Sequence, residues 1–521
     1  MADTLPRGTA PRDPNEHLRA RFEQALQQSR PAPPPTLLPP PPARSGTSGP
    51  AALPVAALPT GGGAGLLPVD FTVIGELRGQ VATQLAARTA EAGALEVEDR
   101  EQLGWQLVVE TVARWGTDYA ATTKPLSKAQ ESEVAQAVFD DLFRAGRLQP
   151  LLNDPGVEDI RICGNDPVEV IYQDRPRAVL PPLVATDADL VTLINQLART
   201  QGQGERTLSP AGPTLNMRLV DGSRLAAAYL VTPRPQVVIR KHRLRSTHLG
   251  DLVGWGTLDS VLAQFLASAV RARKNIFVVG GQGAGKTSLL RAMSREIAPG
   301  ERIGTLESEF ELWLHELEGG PQVVPFEERE GNGERDAQGR LLGQISMADL
   351  FPQLLRMSLR RVIVGEVRSV EVVPMLHAMN EGEGGSMCTL HARTARSAID
   401  RVVTLCLESG IGMTTELAYR LIAQAVDFIV YIRQVDETEI GGVKHRFVEE
   451  VLEVTGIGEG GRPAVQRIFA PRGDGEARDP RGVPHTTPLC IDDLERAGFN
   501  RQWLHNPAGA WGPKPQTVRP L

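Results

Sequence analysis

Gly280, Gly281, Gln282, Gly283, Ala284, Gly285, Lys286, Thr287 and Ser288 form the string GGQGAGKTS, which satisfies the GxxxxGK[ST] spacing of a loop that holds phosphate oxygens. In such a loop, glycines let main-chain N–H groups close around an anion while the dipole of the following helix adds positive potential. Lys286 would supply a mobile cation for the β and γ phosphates, and the Thr287 hydroxyl a ligand for Mg²⁺. The apolar run NIFVVG precedes the string and the helix-like SLLRAMSREI follows it, the context that separates such a loop from an ordinary glycine-rich turn. Binding alone is not hydrolysis. Turnover of ATP also needs carboxylates that hold metal and position water, and a cation to meet charge on the transferred group.

Two later strand-like segments carry such carboxylates. RIGTLESEFEL brings Glu307, Glu309 and Glu311, and RRVIVGEVR brings Glu366 just after Val362 to Val364. Ligands of open parallel sheets gather at the carboxyl ends of strands, so Glu366 first, and Glu307 after it, are expected to face the phosphates held by Lys286. Mg²⁺ would then sit on Thr287, with Glu366 or Glu307 reaching it through water. Glu309, Glu316 and Glu318 read better as a solvated acidic loop. His391 follows a fourth strand-like run, SMCTL, and serves equally well as a core histidine or a catalytic one. The run VVIRKHRLR, with Arg240, Lys241, Arg243 and Arg245 and no acid, is either a solvated face or the source of an arginine finger reaching across a subunit boundary, worth about 10³ to 10⁵ in rate.

These residues need a sheet to position them. From 249 to 470, strands and helices alternate, the pattern of a largely parallel sheet and of the α/β class. Residues 147–248 switch to short β-type runs such as VEDIRICG and QVVIRKH, the pattern of a mixed α+β domain. Residues 69–146 show apolar spacings of three and four, which predict a small helical subdomain. Residues 1–68 read as a disordered Pro/Gly-rich tail, with a tether from Pro31 to Pro68 and one short amphipathic helix over Glu16 to Gln28. The Pro-, Gly- and Arg-rich residues 471–521 read as a poorly ordered C-terminal tail.

At 521 residues the chain is too long for one small module. With 56 Lys and Arg against 63 Asp and Glu, the formal charge is −7; this and the low aromatic content argue against a nucleic-acid motor, which wants a basic groove with stacking platforms. The 4 cysteines are too few and too scattered for a disulfide framework or a zinc module. A bilayer-spanning run and a signal-peptide pattern are both missing from the sequence, so a cytoplasmic protein without a direct membrane span is expected.

The order of these blocks resembles the type II and type IV secretion ATPase superfamily, and most of all its CpaF-type branch, the motors of Tad pilus assembly. The resemblance covers about residues 147 to 470. GGQGAGKTS stands as the Walker A loop, ERIGTLESEFEL at the place of the Asp box, RRVIVGEVRSVE as Walker B and GGSMCTLHA as the His box. It implies a RecA-like P-loop ATPase domain hinged to the α+β domain, ATP and Mg²⁺ bound between them, and a homo-oligomer, a hexameric ring. It also implies work on inner-membrane platform proteins of a pilus or secretion system, with peripheral association at the cytoplasmic membrane through those partners. Glu307 and Glu366 match acids near Mg²⁺ and the attacking water, and His391 the His-box histidine; Arg218, Arg224, Arg240 and Arg329 match family arginines. A conjugation-type type IV secretion ATPase shares these blocks, and a scaffold that binds nucleotide without turnover is a third reading. Ser308 after Glu307 and the segment Gly382 to Ser386 depart from the family pattern, which bears on rate and on coupling between subunits.

Overall fold

The computed structural model describes residues 71–92, 96–173, 175–201, 207–241, 247–329, 331, 343–472, 479–506 and 509–519. The Glu16 to Gln28 helix, the Pro31 to Pro68 tether, Arg243 and Arg245 lie outside the described residues. The helical subdomain is a bundle of α1 (Phe71–Ala92), α2 (Val97–Thr122) and α3 (Lys128–Phe143). Its apolar faces meet through Leu77, Val81, Val108, Val112, Val134 and Val138. Ser127 and Gln130 form a reciprocal capping box that starts α3.

After α4 (Gln149–Asn153) comes a six-stranded antiparallel sheet in the order β3-β2-β1-β6-β5-β4. Its strands are β1 (Val157–Cys163), β2 (Val168–Tyr172), β3 (Ala178–Leu180), β4 (Thr214–Arg218), β5 (Arg224–Ala228) and β6 (Gln236–Arg240), with α5 (Asp187–Gln201) packed through Leu190, Ile194 and Leu197. Register decides what this sheet presents. Arg218 stands opposite Arg224, Arg224 opposite Arg240, and Arg240 opposite Asp159. Like charges placed directly across strands repel, and Asp159 offsets only Arg240 from within the sheet, so Arg218 and Arg224 have to be neutralised from outside it.

Beyond α6 (Leu249–Gly254) and α7 (Ser260–Arg271) lies a nine-stranded sheet in the order β15-β14-β13-β12-β7-β11-β10-β8-β9. Its parallel part holds β7 (Ile276–Gly280), β8 (Arg302–Glu307), β9 (Gln322–Glu327), β10 (Arg361–Val367), β11 (Met387–His391) and β12 (Phe428–Asp436). Every residue of β7 is buried, as expected of a central parallel strand covered on both faces. The covering helices are α8 (Lys286–Ser294), α9 (Met347–Leu355), α10 (Val372–Glu381), α11 (Ser397–Glu408) and α12 (Thr415–Ala425). Two buried polar groups tie strands to their surroundings. Asn275 donates to Met379 O at 3.0 Å and Ala425 O at 2.7 Å, and Arg361 forks onto Glu301 at 2.6 and 2.9 Å.

The expected disordered C-terminal tail is corrected by the structure. β13 (Lys444–Ile457), β14 (Pro463–Arg472) and β15 (Asp479–Pro484) continue the sheet antiparallel, and α13 (Ile491–Arg496) packs on its face. Phe499 joins Phe428 and Phe469 around Phe265, with ring centroids 5.6, 5.2 and 5.1 Å away. Aromatic edges are worth more than area alone in such clusters. Phe499→Ala is therefore expected to cost about 3 kcal/mol in denaturant unfolding; an unchanged midpoint would mean that this segment is not part of the domain.

Candidate functional site

The site lies at the carboxyl ends of the parallel strands. β7 ends at Gly280, and the loop after it carries Gly281 to Gly285 and runs straight into α8, whose first residue is Lys286. Two of these glycines are sterically required. A Cβ on Gly280 would meet Ile432 O of β12 at 2.3 Å, and Gly285 caps α8 at φ +95°, the left-handed region. Arg446 of β13 braces the loop from outside, its Nε donating to Gly283 O at 2.9 Å.

Lys286 is 7% exposed. Its Nζ donates to Gly281 O at 2.9 Å and to Nδ1 of His391 at 3.2 Å. Burial pushes the ammonium down to about 8, with Glu366 and Glu311 pulling it back up and Arg368 and Arg240 adding to the depression. His391, at the end of β11, is also lowered, by burial and then by Lys286, and a ring that accepts from Lys286 at Nδ1 carries its proton on Nε2. That Nε2 stands 2.7 Å from Glu366 Oε1, a buried oxygen that makes no aligned hydrogen bond. Glu366 Oε2 accepts from Arg368 Nη2 at 2.7 Å. Burial would raise the carboxyl, but Arg368, His391 and Lys286 more than offset it, so Glu366 stays ionised, its Oε1 against the His391 ring without an aligned donor. An ionised carboxylate with a vacant acceptor beside a protonated lysine can orient a water molecule.

Glu307, expected at the metal or the water, has a different first duty. At 1% exposure its Oε2 accepts from the main-chain N–H groups of Glu311 and Leu312, both at 2.8 Å. It thereby shapes the turn after β8. Burial raises it to about 7 despite those two donors, and its Oε1 has no hydrogen-bond partner. Hard oxygens left unpaired on Glu307 and Glu366, together with Thr287 at the start of α8, suit Mg²⁺, which takes one or two carboxylates plus substrate phosphates rather than a protein cage. Among the described residues no group of three His, Cys, Asp or Glu forms such a cage.

The arginine row of the β1–β6 sheet is neutralised here. Arg240 donates to Asp159 at 3.0 Å, Arg218 to Glu327 at 2.7 Å, and Arg224 to both Glu309 and Glu311. Glu309, expected in a solvated loop, is thus paired, whereas Glu316 and Glu318 are exposed. Arg240 stays near enough to Lys286 to depress it. Arg329 forms an antiparallel bridge with Ile345, the two N–H···O bonds being 2.9 and 2.8 Å, which closes the base of the Gly331 to Gly343 segment; residues 332–342 lie outside the described residues. Sequence reasoning missed Arg368, Arg446 and Gln434. Arg368 stood two residues from Glu366 in the same block, so it was within reach; the other two are distant in sequence and carry no motif.

The family model for type II/IV secretion system proteins matches residues 177–456. A putative conjugal transfer protein of Mycobacterium tuberculosis is 30% identical over 300 residues, covering 56% of this chain and 81% of that protein. The type IV secretion system protein PtlH of Bordetella pertussis is 28% identical over 333 residues, covering 59% of this chain and 93% of its own. Among solved structures, the Legionella pneumophila ATPase DotB is 19% identical, with TM-score 0.42, covering 61% of this chain and 81% of that one.

A depressed lysine makes anion binding depend on pH. A phosphate favours the ammonium, so affinity is fully present below the free value of about 8 and is lost as pH rises through it. Titrations of the intact chain with ADP between pH 7 and 9.5 are expected to show affinity falling by up to about tenfold per unit above pH 8; a flat profile would show that Lys286 does not meet the anion.

Proposed function

The chain belongs to the type II/IV secretion system protein family, and on that premise we propose that it is an ATP-hydrolysing motor that powers secretion or pilus assembly at the cytoplasmic face of a membrane. The observation that carries the reading is the sequence of contacts from Gly281 through Lys286 and His391 to the vacant oxygen of Glu366. A triphosphate seated on the loop offers Lys286 a stronger partner than the His391 ring. That exchange leaves His391 facing the γ-phosphate and Glu366 free to accept from a water in line with it. The water oxygen bonds to phosphorus while the bond to the β–γ bridging oxygen breaks, giving ADP and inorganic phosphate. Thr287 would help to hold Mg²⁺ with the phosphates, and the ion would supply charge neutralisation there. Arg218, Arg224 and Arg240 are cations that a phosphate could draw from their present carboxylates.

Among the described residues no helix is long and apolar enough to cross a membrane; the proposal assigns membrane contact to platform partners. A hexameric ring is part of the proposal, and with sites shared between subunits the ATPase rate per chain should rise with protein concentration as the measured mass rises. A rate proportional to concentration across the assembly transition would remove the shared site.

The chemistry is tested by two variants. Glu366→Gln is expected to keep ATP binding and lower Mg²⁺-dependent phosphate release by about 10² to 10⁴. Lys286→Ala is expected to lower release by at least about 10² and to weaken binding as well. Normal turnover in both would end the reading; binding without turnover in the unaltered chain would favour a nucleotide-dependent scaffold.

A further inference from the structure

Residues 509–519 run as a strap along the antiparallel part of the large sheet. Ala510 N–H donates to Asp259 Oδ2 at 2.6 Å and Trp511 Nε1 to Gly482 O at 2.9 Å. Arg481 lies 4.8 Å over the Trp511 ring, and its Nη2 donates to Gly512 O at 3.0 Å. Further along, the main-chain N–H groups of Val518 and Arg519 both donate to the carboxylate of Glu437, at 2.7 and 2.9 Å, on a residue 6% exposed. A buried carboxylate is costly unless donors meet it, so the strap's path is set here.

The anchor adjoins a cavity of ≈ 440 Å³ walled by Arg433, Gln434, Asp436, Glu439 and Arg519. Its position relative to the phosphate loop follows from register. Ile432 of β12 is opposite Gly280 of β7, so the residues after it run past the loop on the side away from β11 and β10, which carry His391 and Glu366. Gln434 reaches the loop itself: its Oε1 lies 3.3 Å from where a Cβ on Gly283 would stand. That oxygen is buried and has no hydrogen-bond partner. A triphosphate whose γ end faces Glu366 must send its ribose and base the other way, towards this cavity.

We propose that the strap is a nucleoside-binding element, in which Arg519 forms the outer wall of the cavity that takes the ribose and base of the nucleotide held by the loop. The inference rests on the proposed function and deepens it by naming what distinguishes a nucleotide from bare triphosphate. The volume lies within the range of about 300 to 1,000 Å³ of small-molecule sites. Gln434 Oε1 accepts from an exocyclic amino group, Glu439 exchanges its ion pair with Arg177 for ribose hydroxyls, and the Arg519 guanidinium stacks on the base plane. The strap lies outside the residues 177–456 that match the family, so this wall is not part of the shared catalytic blocks.

Calorimetric titration of the intact chain, Arg519→Ala and a variant lacking 512–521 with ATP, and separately with inorganic tripolyphosphate, tests the proposal. Both variants are expected to bind ATP about tenfold more weakly, the loss of roughly one charge-assisted contact, while tripolyphosphate binds as before. In turnover the KM for ATP rises by a similar factor and kcat changes by less than about twofold. Unchanged ATP affinity in Arg519→Ala overturns the inference, and so does equal weakening of both ligands, which marks the strap as a brace of the fold. An intact chain that binds neither ligand overturns the phosphate-loop reading and takes the inference with it.

Discussion

A protonated amine held out of water and hydrogen-bonded to a main-chain carbonyl and an imidazole is the constraint around which the rest of the site is arranged. In the proposed role Lys286 would have to remain charged to grip a phosphate, yet its place at the start of α8 strips its solvent and lowers its proton affinity. Its hydrogen-bond partners are weak ones, a main-chain carbonyl and a neutral imidazole. Neither is a carboxylate that a phosphate would have to displace at full ionic cost. Glu366 and Glu311 act at greater range, enough to keep the ammonium from falling further but without a hydrogen bond to it. A lysine so placed is poised for exchange rather than locked.

The second consequence concerns Glu366 itself. Its lowered proton affinity comes from Arg368, its own near neighbour along β10, and not from the lysine alone. The acid therefore remains ionised whether or not Lys286 turns towards a ligand. Glu307 is the contrast: buried more deeply, with one oxygen met by main-chain donors and without a comparable cation, it holds a proton up to about pH 7. Two carboxylates on neighbouring strands are thus separated by environment into one ready acceptor and one that shapes the turn, the usual route by which like groups acquire unlike roles.

How much of this was legible in the sequence follows the range of the interactions. The phosphate loop, Glu366 and His391 are local signals, each at the end of an apolar strand, and the sheet order brings them together. The pairing of Glu309 and Glu311 with Arg224 depends on two segments some 85 residues apart, and the acidic string by itself reads as solvated. The C-terminal part was illegible for a related reason. Val483, Ile491, Leu494 and Phe499 are sparse among Pro, Gly and Arg and show no period, yet each is buried because β14 offers an edge and α7 a face. Burial set by a distant partner leaves no pattern in the segment that is buried.

What joins the two sheet domains is charge rather than apolar area. Among the described residues, no hydrophobic cluster contains members of both the β1–β6 sheet and the nine-stranded one. Instead Glu158 bridges Lys444 and Arg446 at 2.9 and 2.7 Å, Arg177 meets Glu439 at 3.3 Å, and the arginine row meets Glu309, Glu311 and Glu327. Ionic contacts at partly solvated positions are individually worth about 0 to 1 kcal/mol and re-form readily with new partners, whereas a shared apolar core would fix one arrangement. Arg446 makes the connection direct: one side chain holds Gly283 of the phosphate loop and Glu158 of the other domain. A ligand that shifts the loop thereby acts on a contact that also holds the neighbouring domain, through a joint weak enough to yield, which is the physical requirement for turning phosphate chemistry into domain motion.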